Sequence, residues 1–286
     1  MRAFLFTQLQ SVLPQHLLSR VAGYLAHQPL GAITHWAIRQ FCKIYRVNLS
    51  EALLENPTDY ATFNAFFTRT LKPGSRPLDT NPHHFVSPID GTISQIGTLQ
   101  ADTLVQAKGF RYTVGALLGG MDHTASQFEN GLFLTAYLAP RDYHRFHMPC
   151  DGTLIEMRHL PGRLFSVNPT TASQVPGLFS HNERVVFLFN TAQGPLALVA
   201  VGAMIVGGIA ANWHGCITPP TQQAISIWDY RTASIELKKG ELIGHFELGS
   251  TIILLLPPHM AAWQETLQAE VTLQQGTHIA TLENVT

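Results

Sequence analysis

The sequence predicts an α+β protein, with amphipathic N-terminal helices layered on a mostly antiparallel β core of barrel-like or sandwich-like form. Three observations predict it. Apolar residues recur at helical spacing as far as residue 72, and strand-like runs dominate after residue 77. Between them, Lys72-Pro73-Gly74-Ser75-Arg76-Pro77 interrupts both patterns and reads as a linker. The chain has 286 residues, 45% of them hydrophobic and only 13% charged, which suits a substantial core under a sparingly charged surface. We therefore divide it into a helical region (1–72) and a β-rich domain (73–286).

In the helical part, Leu17, Leu18, Val21, Tyr24 and Leu25 share one face, as do Ile33, Ala37, Phe41 and Ile44. Asn56-Pro57-Thr58-Asp59 punctuates the run and opens a further helix with Phe63, Phe66, Phe67 and Leu71 on one side. Strands are expected at 92–96, 132–138, 184–189, 196–201, 232–237, 252–256 and 270–273. The fourth follows the third through a turn containing Gln193-Gly194.

Charge is unevenly spread. Residues 1–50 hold Arg2, Arg20, Arg39, Lys43 and Arg46 with no acidic residue, a net +5, and the remainder carries −6. A basic amphipathic start points to an anionic membrane surface, with Phe4, Leu5 and Phe6 adding apolar contact. The alternative is that these stripes pack on the protein's own core. Nucleic acid fits poorly, because the basic residues are few and no binding motif accompanies them.

No apolar run approaches the ~18 residues of a membrane span. Met1-Arg2-Ala3-Phe4-Leu5-Phe6 starts like a signal peptide, but Gln8 and Gln10 interrupt it and no small-residue cleavage site follows. Cys42, Cys150 and Cys216 form neither a disulfide framework nor a zinc set, so a reducing compartment is expected.

Chemistry concentrates in three segments. Leu248-Gly249-Ser250-Thr251 runs straight into Ile252–Leu256, placing a hydroxyl beside a glycine carbonyl at the edge of a core strand. Ser87-Pro88-Ile89-Asp90-Gly91-Thr92 sets a carboxylate in a tight turn, and Tyr137–Pro149 carries His144 and His147. Asp, His and Ser are the parts of an activated nucleophile with an oriented base. Each has a plainer reading: a bulge at Gly249-Ser250, an Asx turn at Asp90, and a metal pair or surface histidines at His144 and His147. A lone pair of histidines three apart lacks a third ligand, so no metal is assigned. A Ser-His-Asp hydrolase is the competing enzyme, although no Gly-x-Ser-x-Gly elbow surrounds Ser250. A lipid-binding module is the non-enzymatic alternative.

Several blocks in order carry a more specific signal: 66–77, the Asp90 turn, 141–149, Leu164-Phe165-Ser166-Val167-Asn168-Pro169, 182–186, 201–204, and Lys239-Gly240-Glu241 leading to Ser250. In them the chain resembles the phosphatidylserine decarboxylase family in its longer, bacterial form, over nearly its whole length. The resemblance implies that Asp90 orients His147, which deprotonates Ser250 for attack on the Gly249 carbonyl. An N-to-O acyl shift, elimination and hydrolysis then release ammonia and convert Ser250 to a pyruvoyl group. Two chains of one proenzyme result, β (1–249) and α (250–286).

The pyruvoyl ketone, with neither metal nor pyridoxal phosphate, would condense with the amine of phosphatidylserine and accept the electrons left by CO2, yielding phosphatidylethanolamine. His144 would contact the substrate carboxylate and return a proton, Ser166 and Asn168 would line the pocket, and Met204 and Gly207-Gly208 would pack beneath it. A homodimer is compatible with the resemblance, as is a peripheral location on the cytoplasmic face of the bacterial inner membrane.

Overall fold

The computed structural model describes residues 7–8, 10–120, 122–204, 208–218, 224–247 and 250–283. Phe4, Leu5, Phe6, Gly207 and Gly249, the residue expected to be cut from Ser250, lie outside the described residues. Helices come first, α1 (Gln15–Ala26), α2 (Ala32–Tyr45) and the short α3 (Phe63–Phe67). The strands that build the site are β1 (Gly91–Thr98), β2 (Leu132–Leu138), β3 (Arg145–His147), β4 (Gly152–Leu160) and β5 (Arg184–Thr191). They continue with β6 (Gly194–Val201), β7 (Ile209–Ala211), β8 (Leu242–Phe246) and β9 (Ser250–Leu256).

The main sheet is antiparallel and runs from an edge strand at Ser226–Asp229 through β4, β5, β6, β9, β2 and β1 to Thr272–Leu273. Among the described residues its outer strands do not pair, so of the two forms expected, barrel-like or sandwich-like, no closed barrel is present. A smaller sheet orders Gly215–Cys216, β7, β8 and β3. The central strand β9 is buried along its whole length. Ile252, Leu254 and Leu256 enter one apolar cluster while Ile253 and Leu255 enter another, as side chains that alternate across a doubly covered sheet must.

The helix expected through Leu71 is shorter. Thr62 caps its start, accepting from the Ala65 N–H at 3.0 Å, and it stops at Phe67. Phe63, Phe66 and Phe67 close around Phe41 of α2 at 5.3 to 6.0 Å between ring centres, while Leu71 pairs with Ala52. The strand expected at 232–237 is likewise confined to Glu236–Leu237, behind a turn.

Helix α1 is inverted relative to a core-facing helix. Gln15, Ser19 and Ala26 are buried, whereas Leu17, Val21, Tyr24 and Leu25 are 50 to 68% exposed. Gln15 earns its interior place by hydrogen bonding: Nε2 donates to the Gln10 carbonyl and Oε1 accepts from Leu164 N–H, both at 2.8 Å. On α2, Ile38 faces inward and Ile33, Trp36 and Ile44 outward.

Candidate active site

Register places the chemical residues. Ser250, the first residue of β9, pairs with Leu138, the last residue of β2. The chain leaving Leu138 is the loop that carries His144 and enters β3. That loop is tied back where β8 ends, because Phe246 N–H donates to the His144 carbonyl at 2.9 Å. His144 is thus tied to the end of β8 ahead of Ser250 and lies on the loop that leaves Ser250's cross-strand partner. Ser250 is fully buried and its Oγ has no hydrogen-bond partner.

Asp90 reaches the same region through its turn. The Pro88 carbonyl accepts from His147 N–H at 2.8 Å, and Val86 N–H donates to Pro149. Gly91 is required at the bend, since a Cβ there would sit 2.6 Å from the Tyr137 carbonyl oxygen. The Asp90 carboxylate is gripped by Arg76, whose Nε lies 2.9 Å from both oxygens, and by Gln275 N–H at 2.8 Å. Arg76 also pairs with Glu51 at 2.8 Å. Hydrogen bonding to Asp90 holds the Arg76 guanidinium protonated well above its ordinary range.

His147 is oriented by other groups than the expected one. Its Nδ1–H donates to the Gly240 carbonyl at 2.9 Å, and its Nε2 accepts from the Tyr143 hydroxyl at 3.1 Å. The tautomer is therefore set by Gly240, while Asp90 acts on His147 only through space. Burial lowers the His147 pKa. Burial likewise pushes the Tyr143 phenol up to about 12, so it remains a donor.

His144 is almost completely buried, its ring 4.0 Å from that of Phe67. Nδ1–H donates to the Asp142 carbonyl at 2.8 Å, leaving Nε2 without a partner. Burial first, and the Arg69 charge second, lower its pKa to about 3. Burial thus keeps the His144 imidazole neutral, with an open lone pair at Nε2.

Ser166 and Asn168 build the turn before Pro169. Asn168 Oδ1 caps the short helix there through Thr171 N–H at 2.8 Å, and Ser166 N–H donates to Gln10 Oε1 at 2.7 Å. Neither has a hydrogen bond to Ser250, His144 or His147. Met204 is partly buried, and Gly208 is a close-approach glycine, because a Cβ there would collide with the Glu247 side chain.

Glu247 in turn pairs with His27 at 3.3 Å. Beside this pair lies a cavity of about 280 Å³ lined by Arg20, Tyr24, Asn64, Gly208 and Glu247 among others. It joins α1 to the chain just ahead of Ser250.

Sequence reasoning assigned no role to Arg69, Arg76 or Tyr143, although all three lie in blocks it had already singled out. Their signal was position beside the expected site residues. The one three-residue group of metal-ligating type among the described residues is Asp79, His84 and His278. It is a hydrogen-bonded network: His84 Nδ1 meets Asp79 at 2.8 Å, and His278 is engaged by Gln264 and Thr281. The Lys239 ammonium sits alongside, on the Asn81 and His84 carbonyls.

Comparison with known proteins bears on what this arrangement does. The profile of the family described as phosphatidylserine decarboxylase matches residues 63–281. A second profile, described as PSD, matches residues 5–46. The phosphatidylserine decarboxylase proenzyme of Coxiella burnetii is 48% identical over 276 residues, covering 96% of this chain and 98% of its own. The protein of the same name from Shewanella baltica is 49% identical over 281 residues, covering 97% of this chain and 96% of its own.

Proposed function

Because the chain belongs to the phosphatidylserine decarboxylase family, we propose that it cuts itself between Gly249 and Ser250 and then converts phosphatidylserine to phosphatidylethanolamine and CO2. It is a carboxy-lyase of phospholipid biosynthesis. The observation that carries the self-cleavage reading is the Ser250 hydroxyl, sealed from solvent without a partner at the head of the central strand. A buried hydroxyl left unbonded costs about 1–3 kcal/mol, a cost tolerated at a reacting atom. That orphaned atom also fits a pyruvoyl group made from Ser250, which supplies a covalent electron sink for the substrate's amine.

The chain's own residues divide the remaining tasks. His147, held by Gly240, presents Nε2 as the proton acceptor for maturation, with the Tyr143 hydroxyl at that nitrogen. Asp90 and Arg76 fix the turn beside it, and the Asp90–Gln275 bond spans the two future chains, which the pairing of β9 with β2 and β6 keeps together after the cut. Neutral His144 offers Nε2 to the substrate's acid end. The arriving carboxylate favours the imidazolium, which then protonates the carbon that loses CO2. Phe67 packs on this ring and excludes water. Ser166 and Asn168 enter as a wall of the headgroup site.

The lipid substrate explains the inverted helix. No helix among the described residues is long and apolar enough to cross a membrane. The outward stripe of α1, with Ile33, Trp36 and Ile44 of α2, instead rests on the bilayer, and exposed Arg20, Arg39, Lys43 and Arg46 meet its anionic headgroups. Residues 1–72 thus form the membrane-facing part and 73–286 the catalytic part, peripheral to the cytoplasmic face of the inner membrane.

Intact mass under denaturing conditions tests the reading. Wild type is expected to give chains 1–249 and 250–286, the latter gaining mass with borohydride and an amine, while Ser250→Ala gives one chain and no activity. A single unmodified chain from an active preparation would sink it.

A further inference from the structure

Arg69 has no assigned role, and its setting is costly. It is only 5% exposed, yet Nε and Nη1 lack partners. Nη2 donates to two backbone carbonyls, Arg141 at 2.9 Å and Asp142 at 3.2 Å, and to no carboxylate. The guanidinium carbon lies 5.6 Å from the centre of the Phe66 ring. Asp90 and Asp142 act on it only through space, and a buried guanidinium that no carboxylate touches is disfavoured, so such a group is kept where an anion is to arrive.

Its position identifies which anion. The Asp142 carbonyl that accepts from Arg69 also accepts from His144 Nδ1, so the two side chains share one oxygen. On the opposite side, Arg69 follows α3, whose Phe66 and Phe67 pack on Phe41 of α2. The outer face of α2 exposes Ile33 and Trp36. Behind the lipid-facing helix, α3 thus sets Arg69 against Phe66 and His144 against Phe67, side by side. In a serine phospholipid the phosphodiester lies a few bonds from the serine carboxylate, so two neighbouring seats are what that headgroup needs.

We propose that Arg69 is the seat for the phosphodiester of the lipid headgroup, its free Nε–H and Nη1–H forming the fork that phosphate oxygens accept. This rests on the decarboxylase reading for the substrate's identity. Charge persistence favours phosphodiester over carboxylate. A cation fixed on the carboxylate would stabilise the ground state and be lost as CO2 forms, whereas phosphodiester keeps its charge throughout and gains uniform binding. In the uncut chain Arg69, His144 and Ser250 are all buried.

The test compares Arg69→Gln with wild type using short-chain, water-soluble phosphatidylserine and phosphatidylethanolamine, so that membrane association is not read. Phosphatidylethanolamine keeps the phosphodiester but lacks the carboxylate. We expect its calorimetric affinity to fall about ten- to a hundredfold and the KM for phosphatidylserine to rise by a similar factor, with self-cleavage intact. A higher KM with unchanged phosphatidylethanolamine binding would place Arg69 on the carboxylate and overturn the proposal, and so would no change in either. Should Arg69→Gln remain uncut, Arg69→Lys repeats the measurement. Failure of both variants to cleave would make Arg69 a prop of the 141–142 loop and reject the seat. The binding arm needs no turnover, so absence of decarboxylation by wild type would count against the function without deciding Arg69.

Discussion

Ser250, His144 and Arg69 are polar groups buried without their full set of partners, whereas Leu17, Val21 and Tyr24 are apolar groups left in water. The two regions depart from ordinary burial in opposite senses and at comparable local cost. An orphaned buried donor or acceptor costs about 1–3 kcal/mol, and an exposed large apolar side chain forgoes about 1.5–3 kcal/mol. A stable fold accepts either where something outside the chain completes the contact. On the reading proposed above, a small charged headgroup completes the centre and an extended apolar phase completes the helix, so that one lipid molecule supplies both.

The largest expected effects separate roles inside the centre. His147→Ala should leave an uncut chain of 286 residues. His144→Ala should cut normally yet lose about 10²–10⁴-fold in turnover, the usual weight of a positioned proton donor. Denaturing mass spectrometry and CO2 release read the two outcomes independently. An uncut His144→Ala chain beside a normally cut His147→Ala chain would exchange the assignments.

Acid should find the centre before it touches the helices. Burial lowers the pKa of His144 to about 3 and of His245 to about 4, with His147 shifted the same way. Above the ordinary histidine pKa of 6.5 both folded and unfolded forms are neutral, and stability is flat. As pH falls below it the unfolded chain binds protons that the folded chain refuses, so stability declines down to the folded pKa. His144 alone should cost about 2 kcal/mol by pH 5. Thermal unfolding of the Ser250→Ala proenzyme from pH 7.5 to 5 checks the sign, and His144→Asn should flatten the slope. A melting temperature that rises on acidification would contradict a neutral buried imidazole.

Much of the centre was legible because its residues sit in short contiguous blocks. Gly249-Ser250 before an apolar run, and Asp90-Gly91 before a strand, carry local backbone logic that spacing reveals. Less legible were contacts between distant segments: Gly240 on His147, Gln275 on Asp90, and Arg69 on the Asp142 carbonyl. The first depends on β8 and β3 lying side by side and the second on β1 pairing with Thr272–Leu273, and periodicity does not encode which strands neighbour. The choice between a barrel-like and a sandwich-like core stayed open for the same reason, since alternation tells which residues are buried but not whether outer strands meet. On α1 the stripe itself was visible. That it faces outward depended on Gln15 and Ser19 finding interior places, with Gln15 bonded to Gln10 and Leu164.

The smallest effect expected is the one that sharpens the helix side of the comparison. If α1 and α2 rest on a bilayer, apolar and basic residues contribute through different forces and should separate by lipid composition. Ile33→Ser with Trp36→Ser removes buried area and should weaken binding to anionic and neutral vesicles alike. Arg39→Gln with Lys43→Gln removes two charges near the surface, each worth about 1 kcal/mol on an anionic leaflet, or roughly fivefold in partitioning. That loss should vanish on neutral vesicles and shrink as salt shortens the Debye length. Self-cleavage should be untouched in both pairs, because none of the four side chains touches Ser250 or its loop. Equal weakening by the charge pair on both vesicle types, or failure of either pair to mature, would show that these residues pack against protein and that the exposed stripe belongs to a protein contact.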